Sequence, residues 1–280
     1  MLKQVIYSLV LLLASTNLSA AIDLAVVNGW STGLVGNNFD PGDDQQANSI
    51  DLRGDIDHPM FYMEYDDGGT PGAANSSDDE VAFRFRGDEV LKSGNVDGYL
   101  WTGLDLDHDG KLDVFMVLHG IATGGGAGTA SLTIYNAGSD DNDSPSTTDI
   151  DAGSAIDLSS TYTPDTLPLA TGFTFVHAVP ADSADVGADG DADTLVSYKI
   201  KFDALAYALN QQTLSTLTAP DNGVSLLDSG AGVTVDTAFR IVASSASQVN
   251  SLNGDIGGYG SGKTGTYESN NAFSAAITYT

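Results

Sequence analysis

The 280-residue chain has no cysteine. That removes disulfide bonds, thiol catalysis, thioether attachment of haem and a lipid-modified cysteine anchor. Core size or a bound metal is left to supply stability. Basic residues are scarce as well: 10 Lys and Arg stand against 38 Asp and Glu, a formal net charge of −28. A surface of that sign repels phosphate, so nucleic acid and anionic lipid are poor partners. No apolar run is long enough to cross a bilayer comfortably, and no membrane insertion is expected. The four histidines, His58, His108, His119 and His177, lack the spacing of a zinc site.

An apolar stretch, Val5–Ala14, follows Lys3 and precedes the small residues Ser19, Ala20 and Ala21. A positive residue, a short apolar core and a small-residue cleavage site are the layout of an export leader. Residues 1–21 are therefore expected to be removed, leaving residues 22–280 as a single domain, secreted or held at the cell surface. Removal takes away one basic residue and no acidic one, so the mature chain is more acidic still.

Gly, Asp, Ser, Thr and Asn punctuate the chain about every ten residues, the rhythm of a many-stranded β domain. Strands are expected at Ile22–Val27, Met60–Tyr65, Glu80–Arg86, Tyr99–Leu104, Leu112–Leu118, Ser131–Tyr135, Phe173–Val179, Leu195–Phe202, Val233–Ala243 and Ala272–Tyr279. Val81, Phe83 and Phe85 alternate with Ala82, Arg84 and Arg86, so that strand has two different faces. The two arginines are expected to meet acidic neighbours across the sheet. Leu112–Leu118 is apolar on both faces and should lie in the middle of a covered sheet. Residues 37–57 and 66–79 read as loops, and the polar stretch 139–151 as a mobile one. Asp203–Leu209 suits a short helix capped by Asp203. The expected architecture is all-β: a two-sheet sandwich of jelly-roll character with long acidic loops and at most one or two short helices.

The stretch that organises the rest is Gly98–Gly120, where two apolar runs flank Asp105-Leu-Asp107-His-Asp109-Gly110-Lys111-Leu-Asp113. Crowded carboxylates repel one another, and oxygen ligands at alternate positions followed by a turning Gly suit Ca²⁺. Asp105, Asp107, Asp109 and Gly110 match positions 1, 3, 5 and 6 of an EF-hand loop, with Asp113 at position 9. Lys111 stands where a backbone carbonyl ligates. Met116 stands at position 12, where a bidentate Glu belongs. With strands as flanks, the loop resembles the DxDxDG calcium loops of dockerins, integrin-type propeller repeats and thrombospondin type 3 repeats. The competing reading is a solvated acidic hairpin. Asp189, Asp191 and Asp193, with Asp185 nearby, repeat the alternation without the following Gly, and read equally as a second calcium site or as an acidic surface loop. Asp140, Asp141 and Asp143 read as solvated charge.

Gly257–Thr264 spells the phosphate-binding pattern GxxxxGK[ST], but neither a preceding buried parallel strand nor a following helix is expected, so it reads as a Gly-rich loop. No nucleophile-elbow pattern supports a Ser–His–Asp site. Among so many acidic residues no carboxylate pair stands out for glycoside hydrolysis. Trp101 is expected in the core, His119 and His177 in apolar strands, and His108 toward solvent.

Taken together, residues 78–87 (DDEVAFRFRG), the strand–DxDxDG–strand unit, 194–205 (TLVSYKIKFDAL) and 237–258 (TAFRIVASSASQVNSLNGDIGG) resemble calcium-stabilised β-sandwich modules of bacterial adhesins and extracellular matrix proteins. The resemblance implies a non-enzymatic role in surface attachment, matrix or filament assembly. Partners would be further copies of the chain or extracellular polysaccharide. The alternatives are a carbohydrate-binding module and a secreted polysaccharide hydrolase.

Overall fold

In the computed structural model the described residues are 22–24, 26, 30–32, 40, 50–66, 79–88, 91–92, 95–96, 98–120, 130–157, 173–178, 185–186, 190, 193–201, 205, 239–249, 252, 254–259 and 262–274. The strands are β1 (Ser31–Thr32), β2 (Asp51–Leu52), β3 (Phe61–Asp66), β4 (Glu80–Asp88), β5 (Leu91–Lys92), β6 (Asn95–Val96) and β7 (Tyr99–Asp105). They continue as β8 (Val114–Gly120), β9 (Ala130–Ala137), β10 (Ile150–Asp157), β11 (Phe173–Ala178), β12 (Thr194–Lys201), β13 (Arg240–Ala246) and β14 (Asp255–Ile256). One sheet runs β1-β3-β4-β12-β11, with β2 beside β4; the other runs β10-β9-β8-β7-β13-β14. Every pairing is antiparallel.

The alternation in β4 places Val81, Phe83 and Phe85 in the main core. Met63 and Phe61 of β3 and Val196, Tyr198 and Ile200 of β12 join them. Facing them from the second sheet are Leu100, Leu104, Val114, Met116, Leu118, Leu132, Ile134 and Ile241. The two sheets therefore pack as a sandwich, and each large apolar side chain buried there contributes about 1.5–3 kcal/mol. Tyr198 and Thr102 hydrogen-bond across this core at 3.2 Å.

As expected, β8 is covered on both faces. Its odd-numbered residues Phe115 and Val117 enter a second core with Trp101 and Val242. That core is roofed by the described residues 252, 254–259 and 262–274, rich in turns, through Leu252, Ile256, Tyr259, Tyr267 and Phe273. Trp101 is fully buried.

The expected first strand, Ile22–Val27, is not found in its described residues, 22–24 and 26. Their carbonyls accept side-chain donors from the outer face of the first sheet instead. Lys199 Nζ donates to the Ile22 carbonyl, and Arg84 Nη2 to those of Leu24 and Val26, each at 2.9 Å. Ile22 and Leu24 pack on Ala82, and Trp30 lies 3.8 Å above the Arg84 guanidinium. With those acceptors satisfied, the segment needs no strand partner.

β2 lies inside a stretch expected to be loop, and β10 follows directly on the acidic loop. A register shift between Asp151 and Ile156 marks β10 as a bulged edge strand. Ala272–Ser274 are not in a strand, although Ser274 N donates to the Ile241 carbonyl at 2.8 Å. The rest of that expected strand, and the short helix apart from buried Leu205, lie outside the described residues.

Candidate metal centre

Asp105 is the last residue of β7, and its carboxylate turns the chain out of the strand. Oδ1 accepts from His108 N at 2.7 Å and Oδ2 from Gly110 N at 3.2 Å. Asp107 Oδ1 accepts from Asp109 N at 3.2 Å, and Asp109 Oδ1 from Lys111 N at 2.9 Å. Asp113 closes the loop: its Oδ2 accepts from Leu106 N at 2.7 Å, and its N donates to the Leu104 carbonyl at 2.8 Å. Short polar side chains that bond to backbone two or three residues on hold turns of this kind. His108 and Gly110 supply the left-handed backbone, with φ of 63° and 89°.

The result is a convergence of three carboxylates. One oxygen each from Asp105, Asp107 and Asp109 lie within 4.8 Å of one another. Calcium–oxygen distances are about 2.3–2.6 Å, so oxygens on opposite sides of one ion stand about 5 Å apart, and the three fit that ion. Lys111 lies beyond them, half-exposed, its ammonium 3.7 Å from Asp141. Asp113 is outside the group of three. Met116, at the position of the missing bidentate Glu, is buried in the main core.

Charge in the loop is unevenly balanced. Arg240, opposite Asp105 in the β13–β7 register, donates Nε to Asp105 Oδ2 at 2.9 Å and bonds the same oxygen through Nη2. Burial pushes the Asp105 carboxyl above the usual range, and Arg240 opposes the shift. Burial and then the Asp107 charge push Asp109 up too. Burial, joined by the charges of Asp107, Asp105 and Asp109, lifts Asp113 to about 8. The metal-free loop holds more negative charge than Arg240 balances.

Tertiary structure adds carboxylates that the sequence reading set aside. Asp140, Asp141 and Asp151 line one cleft of about 420 Å³ together with Asp107, Asp109 and Asp113. Residues 139–151, expected to be mobile, are knitted in place, and the last two open β10. The Asn142 carbonyl accepts from Leu112 N, Asn142 Oδ1 from Asp149 N, and the Asp143 carbonyl from Tyr267 N. Composition reads that stretch as solvated because its polar groups are satisfied by one another and by distant backbone, which no local pattern reports.

Of the second candidate group, Asp189 and Asp191 lie outside the described residues. Asp193 is buried and ion-paired with Arg86 at 3.1 Å, while Asp185 accepts from Gly190 N. Arg86 thus meets an acid, as expected. Arg84 donates Nε to Ser197 Oγ at 2.7 Å and, through Nη2, to the two carbonyls of the N-terminal segment. His108 is half-buried rather than turned to solvent, with Nε2 shielded. His119 stacks on Tyr99, ring centroids 4.2 Å apart. The side chain of His177 lies outside the described residues. No helix follows Lys263 among the described residues, consistent with a Gly-rich turn.

No protein-family model, curated protein or solved structure matches the chain.

Proposed function

We propose that this chain is a calcium-stabilised, non-enzymatic protein of the cell exterior, acting as a subunit in surface attachment, matrix or filament assembly. The observation that carries the reading is the approach of the Asp105, Asp107 and Asp109 oxygens to within 4.8 Å, in a loop that links two adjacent strands of the second sheet. A divalent ion there would relieve their repulsion and lock β7 to β8. The leader-like first 21 residues support export, and a chain without disulfides gains from a metal clamp. Trp101 is buried in the second core, and half-buried Trp30 already stacks one face on the Arg84 guanidinium, which favours assembly over sugar stacking. Partners in this reading are other copies of the chain or extracellular polysaccharide.

The test is a thermal melt with light scattering on residues 22–280, in millimolar calcium and in EGTA. Calcium should raise the melting temperature by several degrees and increase particle mass. A higher melting temperature at unchanged mass would keep the clamp and remove self-assembly. No change in either quantity would sink the reading.

A further inference from the structure

Arg240 holds the loop and the C-terminal roof at once. Its Nε and Nη2 both bond Asp105 Oδ2, and its Nη1 bonds Glu268 Oε1 at 2.6 Å. The guanidinium lies 4.4 Å from the centroid of the Phe273 ring. Glu268 closes the other side, its side chain 3.3 Å from where a Cβ on Gly110 would stand. Asp105 Oδ2 therefore receives Gly110 N and two guanidinium donors, whereas Oδ1 receives only His108 N. A carboxylate oxygen has two lone pairs, so Oδ2 is saturated and Oδ1 is the oxygen with capacity left for a cation.

We propose that Arg240 is a resident counter-cation. It fixes which Asp105 oxygen faces the loop, and it weakens divalent-ion binding so that the site fills only at the high calcium concentrations found outside cells. The inference rests on the calcium reading above. Its physical basis is that a positive charge bonded to a ligand carboxylate repels an arriving cation and shares the negative charge that would attract it. Extracellular calcium modules bind at about 10⁻⁴–10⁻³ M, the range that such a competitor favours. In the metal-free state Arg240 keeps a fully buried carboxylate compensated, so the fold survives without the ion.

The experiment compares residues 22–280 carrying the native Arg240, Arg240→Gln and Arg240→Lys, by calcium calorimetry and by melts in EGTA and in calcium. Arg240→Gln should melt lower in EGTA, bind calcium at least tenfold more tightly and gain more from calcium than the native protein. Arg240→Lys, which keeps the charge, should bind within about threefold of native. A purely structural Arg240 would lower both melts equally with affinity unchanged, and that result overturns the inference while leaving the calcium reading intact. If no variant binds calcium, both fall. Should Arg240→Gln fail to fold, Glu268→Gln provides the second arm. Glu268 is largely exposed and shares the guanidinium, so its loss leaves Arg240 to Asp105 alone and should weaken calcium several-fold. Unchanged affinity in that variant overturns the inference.

Discussion

Beside β2 and β4, Arg53 and Arg86 face Asp51, Asp88 and Asp193; at the end of β7, the loop of Asp105, Asp107, Asp109 and Asp113 meets one guanidinium, that of Arg240, at Asp105. In the first cluster Arg53 Nη2 stands 2.7 Å from Asp51 and 3.3 Å from Asp88, and Arg86 Nη1 stands 3.1 Å from Asp193. Two guanidiniums serve three carboxylates, and each carboxylate touches one. In the second, Arg240 divides its donors between Asp105 and Glu268, and burial plus mutual repulsion raise Asp109 and Asp113. Both clusters are built from Asp and Arg on neighbouring strands and loops. What separates them is the reach of the guanidiniums: the first is closed in that each of its three carboxylates is ion-paired, while in the second Arg240 is bonded to Asp105 and leaves Asp109 and Asp113 raised, open to a proton or a metal ion.

The largest effect should come from breaking the closed cluster. Arg86→Leu leaves the buried Asp193 carboxylate without its guanidinium and should cost about 3–5 kcal/mol in urea unfolding, with Arg86→Leu/Asp193→Leu recovering most of it. A loss below about 1 kcal/mol would mean that this cluster is no more closed than the loop.

The open cluster should respond to pH instead. The Asp113 carboxyl titrates near 8 in the fold and near 3.9 when unfolded, so the native state holds the extra proton between those values. That contribution to stability is present below the unfolded value and disappears as pH rises through about 8. Asp105 and Asp109, also raised, act in the same direction. In EGTA the melting temperature should therefore fall from pH 5 to pH 8. Calcium, which binds the ionised carboxylates, should add more at pH 8 than at pH 5. A calcium increment that shrinks with pH would contradict the contrast.

The smallest effect concerns the turn itself. Gly110 has φ of 89°, and an added Cβ would meet the Glu268 side chain at 3.3 Å. Gly110→Ala should cost about 1–2 kcal/mol and lower calcium affinity, leaving the Arg53–Arg86 cluster undisturbed. Unchanged calorimetric affinity would show that the loop does not need this backbone to gather its carboxylates.

Much of the sandwich was legible because its signals lie within contiguous residues. The two-residue alternation in β4 named its inner face correctly, and the doubly apolar β8 announced a strand buried on both sides. The DxDxDG spacing likewise located three carboxylates that converge. The errors lie where side chains replaced backbone partners. Ile22–Val27 has a strand's composition, yet Arg84 and Lys199 take its carbonyls. Residues 139–149 look solvated, yet Asn142 and its neighbours satisfy one another.

The chain's own residues, read in order, determined where most of the long strands lie, the inward face of β4 and the local gathering of Asp105, Asp107 and Asp109. Each depends on spacing within a few residues and on the fixed geometry of strand and turn. Only tertiary structure decided that Arg240 sits against Asp105 from 135 positions away, and that Asp140, Asp141 and Asp151 line the same cleft. Those placements follow from the register of β13 on β7 and of β9 between β8 and β10, set by the packing of whole strands into a core.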